Sequence, residues 1–199
     1  FTSEEKIQFI VYNKLSDFKQ SNIGLISDGD ENNIGGVTNI VNNKVFLYFD
    51  GNRSNFRKQV KEAIIEVVMH EMLYGTNIKE KLANSTLLVL PEWYSKGLIS
   101  YLANDWNFEI EDRVKDGILS GKYDHFNRLS GVDAAYAGHS IWRYIAKQYG
   151  KGIIPNIVYL TRVHKKAEDG LLFVLGISFE TLANEWVYYY QEKYNAEVF

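Results

Sequence analysis

A histidine and a glutamate stand side by side in the apolar segment Val-Val-Met-His-Glu-Met-Leu-Tyr-Gly at 67–75, and both are suited to zinc hydrolysis. A hydrolytic zinc needs three protein ligands and an open position for water. Two histidines at i and i+4 of a helix can bind one ion, and a glutamate after the first serves as general base. His70 and Glu71 fit the first ligand and the base. The i+4 position holds Tyr74, a poor ligand because its phenol, with an ordinary pKa of about 10, stays neutral.

The N-terminal quarter of the chain has the pattern of strands and turns. Residues 5–12 are rich in β-branched and aromatic side chains, which predicts a strand, and 15–20 are predicted as a short helix. Further strands are predicted at 24–27, 36–41 and 44–49, with a polar turn cluster at 28–33 and a hairpin turn at Asn42-Asn43.

Beyond this region the apolar residues recur at helical spacing. The first helix is predicted to begin with Ser54 as N-cap and to end at Gly75. Later helices are predicted to begin at Pro91, at Asp105 or Asn107, at Ala134, at Gly152 and at Ser178, with a short apolar piece at 170–175. Strands followed by helices predict a single α+β domain over 1–199, with a small, mostly antiparallel N-terminal sheet and then a helical bundle.

Three more segments carry a family resemblance. Pro-Glu-Trp-Tyr-Ser-Lys-Gly at 91–97 is similar to a Trp-x-x-Glu-Gly helix, and the helix at 136–150 continues the likeness. Leu-Gly-Ile-Ser-Phe-Glu-Thr-Leu-Ala-Asn-Glu-Trp at 175–186 is similar to a closing helix of the form Gly-hydrophobic-Ser-x-Glu-x-Leu. Together with His70-Glu71, these segments carry a resemblance of residues 36–194 to the peptidase MA-like domains of the gluzincin superfamily. The resemblance implies a zincin-like helical bundle.

The resemblance also implies a cellular context. The chain especially resembles such domains in Bacteroidota surface or periplasmic proteins, which often carry a TolB-like β-propeller. This implies an extracytoplasmic location, periplasmic or at the cell surface. Position 1 is Phe, not Met, so we expect a piece of a longer exported polypeptide.

The zinc site implied by the resemblance is degenerate in this chain. The family's third ligand is the glutamate of Trp-x-x-Glu-Gly, and here that position is Lys96, while Tyr74 replaces the second histidine. Because a cation at a ligand position repels zinc, we expect neither a metal nor catalysis, and His70 and Glu71 are vestigial. If the helices pack as in the family, the Lys96 ammonium is expected to pair with Glu71 in place of the metal. The alternative is that Lys96 extends to solvent.

Other side chains leave a metal site open as an alternative. Glu66 lies four residues before His70 and Glu92 four before Lys96, so His70, Glu66 and Glu92 would be its ligands. Carboxylates on helices are usually solvated surface charges, which favours the simpler interpretation. His139 lies in a family-like helix, where a structural role is favoured over a ligand contact.

Composition limits the classes of partner. Aromatic residues make up 15% of the chain, which fits either a thick helical core or a groove for a peptide or sugar. The candidate cleft contacts are Tyr74, Trp93, Tyr94, Tyr136 and His139. A net charge of −3 without a dense basic block argues against nucleic acid. The absence of cysteine excludes disulfides, and no apolar run approaches the roughly 20 residues of a membrane span.

The leading hypothesis is a non-catalytic, metallopeptidase-like domain that serves interaction or scaffolding without a cofactor. Its partner would be a protein or peptide, or neighbouring domains of the same polypeptide. The first alternative is an active zinc peptidase or other metal-dependent hydrolase with an unusual ligand shell. The second is a glycan-binding module, which draws only on the aromatic content.

Overall fold

The computed structural model describes residues 6–20, 39–41, 44–75 and 87–196. The chain divides into two compact units, Phe1–Glu71 and Met72–Phe199. The first contains a small sheet and most of a long helix, and the second is helical, so the α+β class is confirmed. The single domain over 1–199 stays a prediction.

The first unit contains a three-stranded mixed sheet. Its elements are β1 (Gln8–Tyr12), α1 (Leu15–Lys19), β2 (Asn39–Val41), β3 (Lys44–Tyr48) and, up to Glu71, helix α2 (Arg53–Tyr74). The strand order is β1-β3-β2; β2 pairs with β3 antiparallel over three residues, as the hairpin prediction requires. The longer pairing, β1 with β3 over five residues, is parallel.

The prediction of a mostly antiparallel sheet is therefore wrong. A local turn signal reveals the pairing of strands adjacent in sequence, whereas a parallel pair needs a long crossover and leaves no such signal. The predicted strand at 24–27, the turn cluster at 28–33 and the turn at Asn42-Asn43 lie outside the described residues.

Helix α2 packs on the sheet through a small apolar core. Val45 and Leu47 of β3 and Ala63 and Val67 of α2 are buried together. The side chain of Asn52 accepts hydrogen bonds from the backbone N–H groups two and three residues later, at 2.9 and 3.2 Å. It is the N-cap, so the prediction of Ser54 in this role is wrong.

Residues 88–196 of the second unit contain six α-helices. They are α3 (Glu92–Ala103), α4 (Phe108–Leu119), α5 (Gly131–Tyr149), α6 (Ile154–His164), α7 (Ala167–Leu175) and α8 (Phe179–Ala196). Asn107 and Ser178 cap α4 and α8 with their side chains, as predicted. Helix α5 begins three residues before the predicted Ala134, because the side chain of Glu92 accepts the N–H of Gly131 at 2.8 Å.

Helices α3 and α5 approach each other closely at two glycines. A Cβ atom at Gly97 would lie 2.3 Å from the Cα of Gly138, and one at Gly138 would lie 2.1 Å from the carbonyl oxygen of Trp93. Only a residue without a side chain fits at either position. The residues of α5 on both sides of this crossing are buried, so α5 forms the centre of the unit.

Within the described ranges, no single helix is both long and apolar enough to cross a membrane. Helices α7 and α8 satisfy the length and composition requirement only when taken together across a 75° bend.

Candidate functional site

The His-Glu segment lies near the C-terminal end of α2, and His70 and Glu71 are the last two residues of the first unit. Glu71 is buried, with 2% of its surface exposed, while His70 and Glu66 are exposed on the same helix. Tyr74, one turn further on, is half-buried, and burial raises the pKa of its phenol. The phenol is thus held neutral, which makes it a poorer zinc ligand still.

Lys96 forms an ion pair on its own helix. Its Nζ lies 2.7 Å from Oε2 of Glu92, one turn earlier on α3, and both side chains are more than one-third exposed. The same Glu92 oxygen accepts the N–H of Gly131 at the start of α5. These hydrogen bonds, that of Lys96 first, lower the pKa of the Glu92 carboxyl. The pairing of Lys96 with Glu71, which belongs to the other unit, stays a prediction.

Glu92 therefore already has two partners that a metal would have to displace. One is a cation, and the other is a backbone N–H at a helix N-terminus, where a carboxylate is favoured. Among the residues that the structure describes, no group of three or more His, Asp or Glu side chains is placed to hold a metal ion.

The aromatic residues beside Lys96 are packed in the core of the second unit. Trp93 and Tyr94 have no exposed surface. The indole N–H of Trp93 donates to Oδ1 of Asn127 at 2.8 Å, and the hydroxyl of Tyr94 is hydrogen-bonded to that of Thr161 at 2.9 Å. This arrangement favours the packing interpretation of both residues over the role of cleft contact.

Tyr136 is also buried, and it links α5 to α4. It is 4% exposed, and its hydroxyl donates to Oε1 of Glu109 at 2.5 Å. Burial, followed by the hydrogen bond and charge of Glu109, raises the pKa of Tyr136. Its polar end thus has a partner within the protein.

His139 lies in a different environment, between aromatic rings and a cation. It is 1% exposed, and its Nδ1 lies 3.0 Å from Oγ of Ser100. The rings of Tyr101 and Trp106 contact the imidazole, with centroids 5.7 and 5.6 Å away. Burial, reinforced by the positive charge of Arg143, lowers the pKa of His139 to about 4. The imidazole is therefore neutral at pH 7.

Arg143, one turn after His139 on α5, stacks on an aromatic ring. Its Cζ lies 4.3 Å from the centroid of Trp106, the geometry of a cation–π interaction. The indole N–H of Trp106 donates to Oε2 of Glu111 at 2.9 Å, and Lys193 of α8 is bonded to Oε1 of the same carboxylate. Burial raises the pKa of Glu111, but the hydrogen bonds from Lys193 and Trp106 outweigh it, and the pKa is lowered. Glu111 is therefore ionised.

Sequence reasoning identified His139 but missed the residues around it. Tyr101, Trp106 and Arg143 come from α3, the α3–α4 connection and α5, and no motif joins them. The one available signal was the spacing of Arg143 four residues after His139, which places both on one helix face.

Comparison with known proteins adds no assignment to this geometry, because no protein-family model, no curated protein and no solved structure matches the chain.

Proposed function

We propose that this chain is a metallopeptidase-like domain without hydrolytic activity that serves as an interaction or scaffolding module. The observation that carries the proposal is the ion pair of Lys96 with Glu92. In the gluzincin-like arrangement suggested by the sequence, Lys96 stands at the third ligand position. A cation there, paired with the nearest carboxylate, opposes the binding of a second cation.

The other residues of the same segment support this proposal by their packing. Trp93 is fully buried and Gly97 is in close contact with Gly138, so both stabilise the crossing of α3 and α5. Such a segment is needed for the fold whether or not a metal binds. A domain that keeps this helix crossing but lacks metal-coordinating side chains is suited to present a surface to a protein, a peptide or a neighbouring domain of an exported polypeptide.

Zinc stoichiometry tests the proposal. The purified protein would be dialysed against zinc, desalted and measured by elemental analysis, beside a His70→Ala variant as matched control. We expect well below one equivalent in both proteins. One full equivalent in the wild type that is lost in His70→Ala, together with peptide hydrolysis, would establish the active hydrolase instead.

Restoring ligands gives the complementary experiment. Tyr74→His and Lys96→Glu together would supply the residues that the zinc site lacks, and Glu71 would be the general base. If the backbone has the expected arrangement, the double variant should bind zinc when the wild type does not. Equal, negligible binding by both proteins would contradict the proposed relationship of these positions.

A further inference from the structure

We propose that Arg143, Tyr101 and His139 form a binding site for the carboxylate of a small organic acid. The proposal concerns the second unit alone and does not depend on the proposed function.

The first argument is the charge of Arg143. No carboxylate of the described residues forms an ion pair with its guanidinium. Glu111 is close enough to interact electrostatically, but its two oxygens accept from Trp106 and Lys193. The guanidinium is partly buried and stacks on the ring of Trp106, so its positive charge lies beside an aromatic ring and has no carboxylate partner of its own among the described residues. A monoanion would neutralise it.

The second argument is unused hydrogen-bonding capacity around that charge. An arginine has five N–H donors in a planar fork. Arg143 donates to the hydroxyl of Tyr190, which leaves further N–H donors of the guanidinium for a ligand. The hydroxyl of Tyr101 forms no hydrogen bond to a described residue, although its ring contacts His139 and Arg143 acts on it electrostatically. His139 bonds Ser100 through Nδ1, which leaves Nε2 for a ligand.

The chemistry of these groups selects a carboxylate among anions. The guanidinium fork matches the two oxygens of a carboxylate, and the hydroxyl of Tyr101 offers a further donor. A phosphate dianion would need a second cation, and Lys193 already pairs with Glu111. The ring face of Tyr101 suits the carbon part of an organic acid. Trp106, on which Arg143 stacks, shields the charge from water and so strengthens the charge interaction.

Titration by NMR tests the site with two matched probes. N-acetylglycine carries a carboxylate, and N-acetylglycinamide has the same shape without the charge. We expect saturable shifts of the Trp106 indole N–H and the His139 ring signals with the acid and none with the amide, at constant ionic strength. Inorganic phosphate should bind at least about 10-fold more weakly, because its second negative charge would be partly buried without a cation to pair with.

Variants connect the binding to the named residues. Arg143→Met should weaken the binding of N-acetylglycine by at least about 10-fold, and Tyr101→Phe should weaken it by about 3- to 10-fold. Lys147→Met is the matched control, because Lys147 lies one turn further along α5, over the ring of Tyr189 at 4.6 Å. It should leave the Kd unchanged. Circular dichroism would verify that each variant is folded. If Arg143→Met does not fold, Arg143→Lys replaces it in the test, because lysine keeps the positive charge but lacks the planar guanidinium fork.

Four results would overturn the proposal: no saturable shift with the acid, equal shifts with the amide, equal affinity for phosphate, or equal losses in the Arg143 and Lys147 variants. Undiminished binding by folded Arg143→Lys would likewise exclude the two-pronged contact.

Discussion

A single methyl group at Gly97 tests how closely α3 and α5 must approach. In Gly97→Ala, the new Cβ would lie 2.3 Å from the Cα and 2.4 Å from the carbonyl carbon of Gly138, whereas ordinary contact begins at 3.4 Å. Both obstructing atoms are backbone of a buried helix, so no side chain can rotate away. The helices would have to separate by about 1 Å, and overpacking of this kind costs about 1–3 kcal/mol.

Helix propensity acts in the opposite direction. Alanine is favoured over glycine inside a helix by about 1 kcal/mol. If the clash costs about 3 kcal/mol, the upper end of the overpacking range, the free energy of unfolding therefore falls by about 2 kcal/mol. For a chain of this size, the same loss lowers the Tm by about 4–8 °C.

Denaturant unfolding followed by tryptophan fluorescence is the appropriate assay. All four tryptophans, at positions 93, 106, 142 and 186, lie in Met72–Phe199, so the signal reports the unit that contains the crossing. Gly152→Ala is the matched control, because its Cβ would meet nothing within 4 Å. We expect its free energy of unfolding to stay within about 0.5 kcal/mol of the wild type.

Two outcomes would refute this reasoning. If Gly97→Ala unfolds within about 0.5 kcal/mol of the wild type, the two helices do not need the close approach. If Gly97→Ala and Gly152→Ala lose stability equally, the loss comes from replacing glycine in general and not from the contact with Gly138.

Three further predictions concern charged or titratable groups. Lys96→Met should cost less than about 1 kcal/mol in denaturant unfolding because its pair with Glu92 is partly exposed; a loss of about 3–5 kcal/mol would point to a buried partner such as Glu71. Glu92→Gln should lower the free energy of unfolding by more, about 1–2 kcal/mol, because the N–H of Gly131 also loses a charged acceptor. Since the pKa of Glu92 is lowered in the folded protein, this loss relative to the wild type is present above about pH 4.5 and disappears as the pH falls through the folded-state pKa. His139 should make the protein less stable as the pH falls from 6.5 to about 4, where the unfolded chain binds the additional proton. At about 1.4 kcal/mol per pKa unit the loss is at most about 3 kcal/mol, and urea titrations across this range should show it in the wild type and not in His139→Gln.

Local patterns predicted the parts of the fold that depend on local contacts. The apolar spacing of α2 anticipated the buried Val67, and the cap residues Asn107 and Ser178 occupy the predicted positions. The pattern did not show that Asn52 would cap α2 in place of Ser54, since both are good caps and lie two residues apart. It also could not show that Glu92 would extend α5 by accepting the N–H of a residue 39 positions away.

The same limit applies to the candidate site. His70 and Glu71 are visible in the sequence because two adjacent residues on one helix carry the signal. The surroundings of His139 are not visible, because Trp106 and Arg143 come from separate elements and meet only through packing. Burial also cannot be read from residue type alone: Tyr94 and Tyr74 are both tyrosines on predicted helices, yet one is fully buried and the other half-buried.

The segment at 91–97 contains two kinds of position that differ in what they tolerate. Gly97 faces backbone atoms of α5 at distances that no other residue satisfies, and Trp93 is enclosed on all sides. Lys96 lies between them in sequence, but its side chain is 35% exposed, so the packing would accept many residues there. A substitution at this position is therefore expected to cost little stability, whereas a substitution at Gly97 cannot be separated from the fold. The proposed loss of a metal ligand at position 96 is therefore compatible with an intact crossing of α3 and α5.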